Sequence, residues 1–120
     1  MGLAMEESRR TGLLGEVLAA RHLRDRGWRV TSANYRAGGG EVDIIAEKDG
    51  LCVFFEVKSR TGDALFAPAT AVNYGKEERV KSAAAAFISA KKINFPTRFD
   101  IIEVVFSGEE QKVNHIENAF

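Results

Sequence analysis

Apolar positions follow two rhythms along this chain. Leu13, Val17, Ala20 and Leu23 recur at helical spacing, which predicts an amphipathic helix from about Thr11 to Arg26. Gly27 suits its C-terminal stop, where a residue without Cβ turns left-handed. Trp28 to Tyr35 reads as a short strand, and Arg36 to Gly40, with its three consecutive glycines, as a loop. Glu41 to Glu47 and Leu51 to Ser59 are rich in Val, Ile and Phe, and Lys48-Asp49-Gly50 separates them. Asp-Gly between two such runs predicts a tight hairpin, because both residues tolerate positive φ. Thr61 to Ala71, containing Pro68, reads as a long loop. Asn73 is placed to cap a second helix that runs through Lys76, Val80, Ala83, Ala84, Phe87 and Ile88 to about Lys92, before Pro96. Arg98 to Phe106 is a strand, Ser107-Gly108 a turn, and Val113 to Ile116 a last short strand. The order predicts an α/β fold: a mixed sheet of four to five strands flanked by helices.

Composition narrows the class. The 120 residues suit a single domain spanning 1–120, with residues 1–10 flexible or extending the first helix. Hydrophobic residues at 45% and charged residues at 28% are ordinary for a globular chain. One cysteine, Cys52, excludes an intrachain disulfide framework and a cysteine-rich zinc site. No apolar run reaches the roughly 20 residues that span a bilayer. The stretch from Met1 to Arg10 is charged where a signal peptide turns apolar, so a cytoplasmic location and no membrane partner are expected. Seventeen basic and seventeen acidic residues leave no net charge. Binding to nucleic acid would then need a local basic patch, because bulk attraction is missing.

The hairpin aligns the chemistry. A two-residue turn pairs Lys48 with Leu51, and counting back in equal steps sets Asp43 opposite Glu56. Alternation puts Cys52, Phe54, Glu56, Lys58 and Arg60 on one face, with Asp43 directed there too. Val42, Ile44, Ala46, Val53, Phe55 and Val57 form the other, core-facing side. Two opposed carboxylates repel and call for a positive charge between them, either Lys58 or a hard divalent cation. Glu16 falls between Ala20 and Leu23 around the first helix, so it faces the sheet as a third acid. The blander reading is a solvated salt-bridge patch, with Glu16 at the surface. His22 and His115 lack metal-ligand company, Cys52 reads as a small buried residue, and Trp28 and Phe99 as core. The glycines at 38–40 lack the Gly-Lys-Ser/Thr ending of a phosphate loop.

Asp43 followed by Glu56-Val57-Lys58 on the next strand resembles the split motif of the PD-(D/E)XK nuclease superfamily, with Val42 standing in place of the proline. A preceding helical Glu resembles archaeal Holliday-junction resolvases. The whole chain resembles the YraN family of small bacterial proteins regarded as endonucleases. The matching segments are Gly15-Glu16, Asn34-Tyr35-Arg36, Gly40 to Ile45, Val53 to Arg60, Lys76 and Arg98-Phe99-Asp100. The resemblance implies a restriction-endonuclease-like core and metal-dependent cleavage of DNA. Asp43, Glu56 and the Val57 carbonyl would hold Mg2+ or Mn2+, joined by Glu16, with Lys58 beside the attacking water. Arg60, Lys76 and Arg79 are candidates for phosphate contact. The rival readings are a non-catalytic nucleic-acid-binding module and a homodimeric interaction protein.

Overall fold

The structure, a computed structural model, describes residues 2–61 and 74–120. Helix α1 (Gly2–Asp25) leads into strands β1 (Arg29–Ala37), β2 (Gly40–Lys48) and β3 (Leu51–Thr61). Helix α2 (Tyr74–Lys91) precedes β4 (Thr97–Ser107) and β5 (Glu110–Ile116). The expected loop around Pro68 and the Asn73 cap lie outside the described residues.

The five strands form one sheet in the order β1-β2-β3-β4-β5. Only β3 and β4 run parallel, with α2 between them in sequence; every other pair is antiparallel. The mixed α/β class and the strand succession agree with the sequence reading. At Asp49-Gly50, φ angles of 51° and 76° give the two left-handed positions that a tight hairpin needs. The expected register follows, from Lys48↔Leu51 to Ile44↔Phe55.

Both sheet faces are core, which corrects the expectation of one apolar face. Helix α1 covers Ile44, Ala46, Val53, Phe55, Ile102 and Val104. Helix α2 covers Val42, Ile45, Cys52 and Phe54 through its own Val80, Ala83, Ala84 and Phe87. Strands β2 and β3 are therefore covered on two sides, which explains their nearly unbroken apolar runs.

The packing face of α1 also differs from the expected stripe. Gly15, Ala19 and Leu23 are buried, whereas Leu13 and Val17 are 55% and 53% exposed. A Cβ at position 15 would collide with the Ser59 hydroxyl. The helix backbone thus rests directly on β3, where larger side chains would hold it off. Leu13 and Val17, each two residues from Gly15, turn about 160° away. Gly27, at φ 89°, ends the helix, with Trp28 N–H donating to the Leu23 carbonyl at 3.0 Å and Gly27 N–H to Arg24 at 3.1 Å.

Asp100 pins the far side of the sheet. Its fully buried carboxylate accepts two hydrogen bonds from Arg98 at 2.8 Å and one from the Asn118 N–H at 2.9 Å, and it lies 2.7 Å from His115 Nε2. The chain after β5 is thereby tied to β4, and the Phe120 ring lies against Phe99.

Candidate active site

The site grows from an irregularity shared by β1 and β2. Ala33 pairs with Ile44 and Tyr35 with Val42, so Asn34 and Asp43 face each other, yet neither is paired in the ladder. Asn34 has a φ of 52°, a left-handed conformation that Asn tolerates better than most residues. Side-chain alternation resets there. Ile44 packs under α1, while Val42 and Tyr35 pack under α2. Val42 was expected beside Ile44 and Ala46; the break moves it to the opposite face.

The same break frees Asp43 from the pleat. Its Oδ2 accepts the Val57 backbone N–H at 2.8 Å. The carboxylate thus takes a donor that regular pairing would give to a carbonyl of β2. Paired positions stop at Ile44↔Phe55, one step before the expected Asp43–Glu56 pair. Asp43 meets β3 at Val57, next to Glu56.

Glu56 is buried, with 4% of its surface exposed. Its Oε1 lies 3.2 Å from Lys76 Nζ. The positive charge that the sequence argument required is supplied here by Lys76 of α2, where Lys58 or a metal ion was expected. Helix geometry explains the reach. Lys76 precedes the buried Val80 by four residues and so shares its inward face. The glycines of the β1–β2 turn let α2 come down at this end. A Cβ on Gly40 would collide with the Arg79 backbone, and one on Gly38 would lie 2.9 Å from the Ser82 carbonyl.

Glu16 is half-buried on the flank of α1, about 100° round from Gly15. Burial, reinforced by the charges of Asp43 and Glu41, pushes its carboxyl above the usual range, and Lys76 opposes this. Burial likewise raises Asp43. The Val57 N–H and Lys76 pull it back, while Glu41 and Glu56 add to the rise. Glu16, Asp43 and Glu56 therefore share one electrostatic neighbourhood with Lys76. Among the described residues, no three His, Cys, Asp or Glu side chains converge at metal-ligand spacing.

Lys58 follows Glu56 by two residues on the α2 side of β3 and is half-buried. Its ladder neighbour Glu103 binds Arg60 at 3.1 Å and accepts a hydrogen bond from Asn114 at 3.2 Å. Arg60 is thus held on the β4 side. A cavity of about 350 Å³ opens beside Asp43; Lys76 and Arg79 line it together with Arg36, Glu41 and the Gly39-Gly40 backbone. Arg36 and Glu41, joined at 3.0 Å, were not singled out as site residues by the sequence reading. Their signal was faint: charged residues flanking a glycine turn, which read equally well as solvated. Cys52 is fully buried, and burial, with a smaller effect of Glu47, pushes its thiol up to about 11, so it is no nucleophile.

The donor set suits a hard cation. Asp43 commits one oxygen to Val57 and retains the other, and Glu56 offers a second carboxylate, whose Oε1 faces Lys76. Mg2+ needs only one or two carboxylates, completed by water and phosphate.

Residues 15–104 match the family described as "Uncharacterised protein family UPF0102". The chain belongs to the UPF0102 family. A UPF0102 protein of Alkaliphilus oremlandii is 38% identical over 116 residues, covering 94% of this chain and 99% of its own. One from Thermodesulfovibrio yellowstonii is 39% identical over 109 residues, with 91% and 94% covered. One from Myxococcus xanthus is 39% identical over 118 residues, with 98% and 94% covered. The span matched to UPF0102 includes Glu16, Asp43, Glu56, Lys58, Lys76 and Arg79.

Proposed function

We propose that this UPF0102 protein is a Mg2+- or Mn2+-dependent endonuclease that hydrolyses DNA phosphodiester bonds on a restriction-endonuclease-like core. The observation that carries the reading is Asp43 bound to the Val57 N–H beside the buried Glu56, next to a cavity lined by Arg36, Lys76 and Arg79. A cation-seeking pair of acids and an anion-seeking wall adjoin, as phosphodiester chemistry requires.

Asp43, Glu56 and the Val57 carbonyl would hold the metal, with Glu16 as the outer acid. What such an ion supplies when bound is a water of lowered pKa and neutralised phosphate charge. Lys58 orients the attacking water from the Glu56 face and stabilises developing negative charge. Lys76, Arg79 and Arg36 hold the phosphate in the cavity. The balanced net charge makes this local patch the source of affinity.

One observation favours a second reading, a non-catalytic nucleic-acid-binding module: the Glu56 carboxylate is already neutralised by Lys76. A cleavage screen over single-stranded, duplex, flap and four-way-junction DNA, with and without Mn2+, separates the two. Metal-dependent cutting of any substrate supports the endonuclease. Metal-independent binding without cutting supports the module.

A further inference from the structure

We infer that Lys76 is a tethered counter-cation, holding Glu56 when no metal is bound and yielding it to a divalent ion. The inference rests on the metal-dependent reading above. Two observations carry it. The Lys76 ammonium lies 3.2 Å from a Glu56 side chain that is only 5% exposed. The Lys76 side chain is itself 38% exposed and lines the cavity shared with Arg79 and Arg36.

An ammonium and a divalent ion cannot both occupy the near side of Glu56 Oε1. A divalent ion that takes Glu56 Oε1 therefore displaces Lys76. The displaced ammonium, on its flexible four-carbon stem, stays at the cavity wall, where an anionic phosphate is its natural partner. Metal and phosphate then help each other: an anion that draws Lys76 away empties the metal position, and by linkage metal strengthens the anion's hold. Lys76 is in this sense a positioning residue that couples the acidic half of the site to the basic half.

The test is calorimetric titration of Mn2+ alone into the parent, Lys76→Met and the charge-keeping Lys76→Arg. Removing the competing charge should tighten Mn2+ binding by about tenfold, a modest figure because the pair is partly solvated. Lys76→Arg should stay near the parent. A parent that binds Mn2+ with Lys76→Met no tighter overturns the inference and leaves the endonuclease reading standing. If no form binds Mn2+, both fall. Should Lys76→Met fail to melt cooperatively, nuclear magnetic resonance of the parent decides: Mg2+ should shift the Lys76 Cε resonance along the binding curve, and an unmoved resonance overturns the inference.

Discussion

The Asp43 carboxylate accepts the Val57 backbone N–H at 2.8 Å, just past the last ladder pair of β2 and β3. A side chain has replaced a backbone acceptor, so the catalytic candidate is also a structural tie. Position and charge can be separated by Asp43→Asn, whose amide oxygen still accepts that N–H. Burial already disfavours the Asp43 charge, and Glu41 and Glu56 add repulsion. In EDTA, Asp43→Asn should therefore melt higher than the parent, by about 1 kcal/mol or roughly 3–8 °C. The parent should gain about 1.4 kcal/mol from Mg2+ or Mn2+ at ten times the dissociation constant. The variant should gain little, so the two melting curves cross across a metal titration. A parent indifferent to metal, with a variant no more stable in EDTA, would leave the acids as a salt-bridge patch.

Lys58 tests the chemistry apart from the fold. It is half-buried and shares the α2 side of β3 with Glu56. Lys58→Ala should lower cleavage by about a hundredfold or more while cooperative unfolding persists. Cleavage rates at saturating Mn2+, set beside urea melts, check both halves. A variant that cuts like the parent removes Lys58 from the mechanism.

Gly15 tests how α1 is seated. Alanine is the better helix former by about 1 kcal/mol, but its Cβ would strike the Ser59 hydroxyl. Gly15→Ala should destabilise by about 1–3 kcal/mol. Gly12→Ala, with nothing within 4 Å, should be neutral or stabilising. Adding Ser59→Ala should recover part of the loss at position 15. Urea melts of the three variants give the comparison; equal stability of the Gly12 and Gly15 variants would refute the close contact.

Asp100 predicts the acid limit of the fold. Burial alone would raise its carboxyl, but the hydrogen bonds from His115, Arg98 and the Asn118 N–H outweigh it and hold the group at about 2. An unfolded chain would titrate it near 3.8. A depressed folded value stabilises the protein above the unfolded one, here above about pH 4. The contribution is then lost as pH falls towards 2. It amounts to about 2 kcal/mol at neutral pH. Asp100→Asn should be less stable than the parent at pH 7, by about 2–3 kcal/mol, because Arg98 loses its ionised partner and is left with Glu117 at 3.7 Å. The gap should narrow steadily between pH 4 and pH 2 in urea melts. A constant gap would mean that the Asp100 charge contributes nothing.

What the amino-acid sequence determined by itself lies within a few residues of its cause. Asp49-Gly50 set the β2–β3 register because a tight turn leaves no freedom in how its strands align. Gly27 ended α1, and alternation along β3 placed Glu56 with Lys58. The tertiary structure decided what depends on distant segments meeting. The apolar period of α1 pointed to Leu13 and Val17, but the approach of Gly15 to Ser59, across 44 residues of sequence, turned them to solvent. Asp43 followed alternation only until Asn34 took a left-handed φ opposite it, which no pattern in β2 reveals. In the sequence Lys76 reads as a candidate phosphate contact, with nothing to tie it to Glu56. It became the counter-charge of Glu56 because glycines 38 and 40 leave room for α2 to settle over the end of β2. Local preferences act through one residue's own dihedral angles and neighbours. A buried acid's partner is whichever cation the packing brings within reach, and packing is a property of the whole chain.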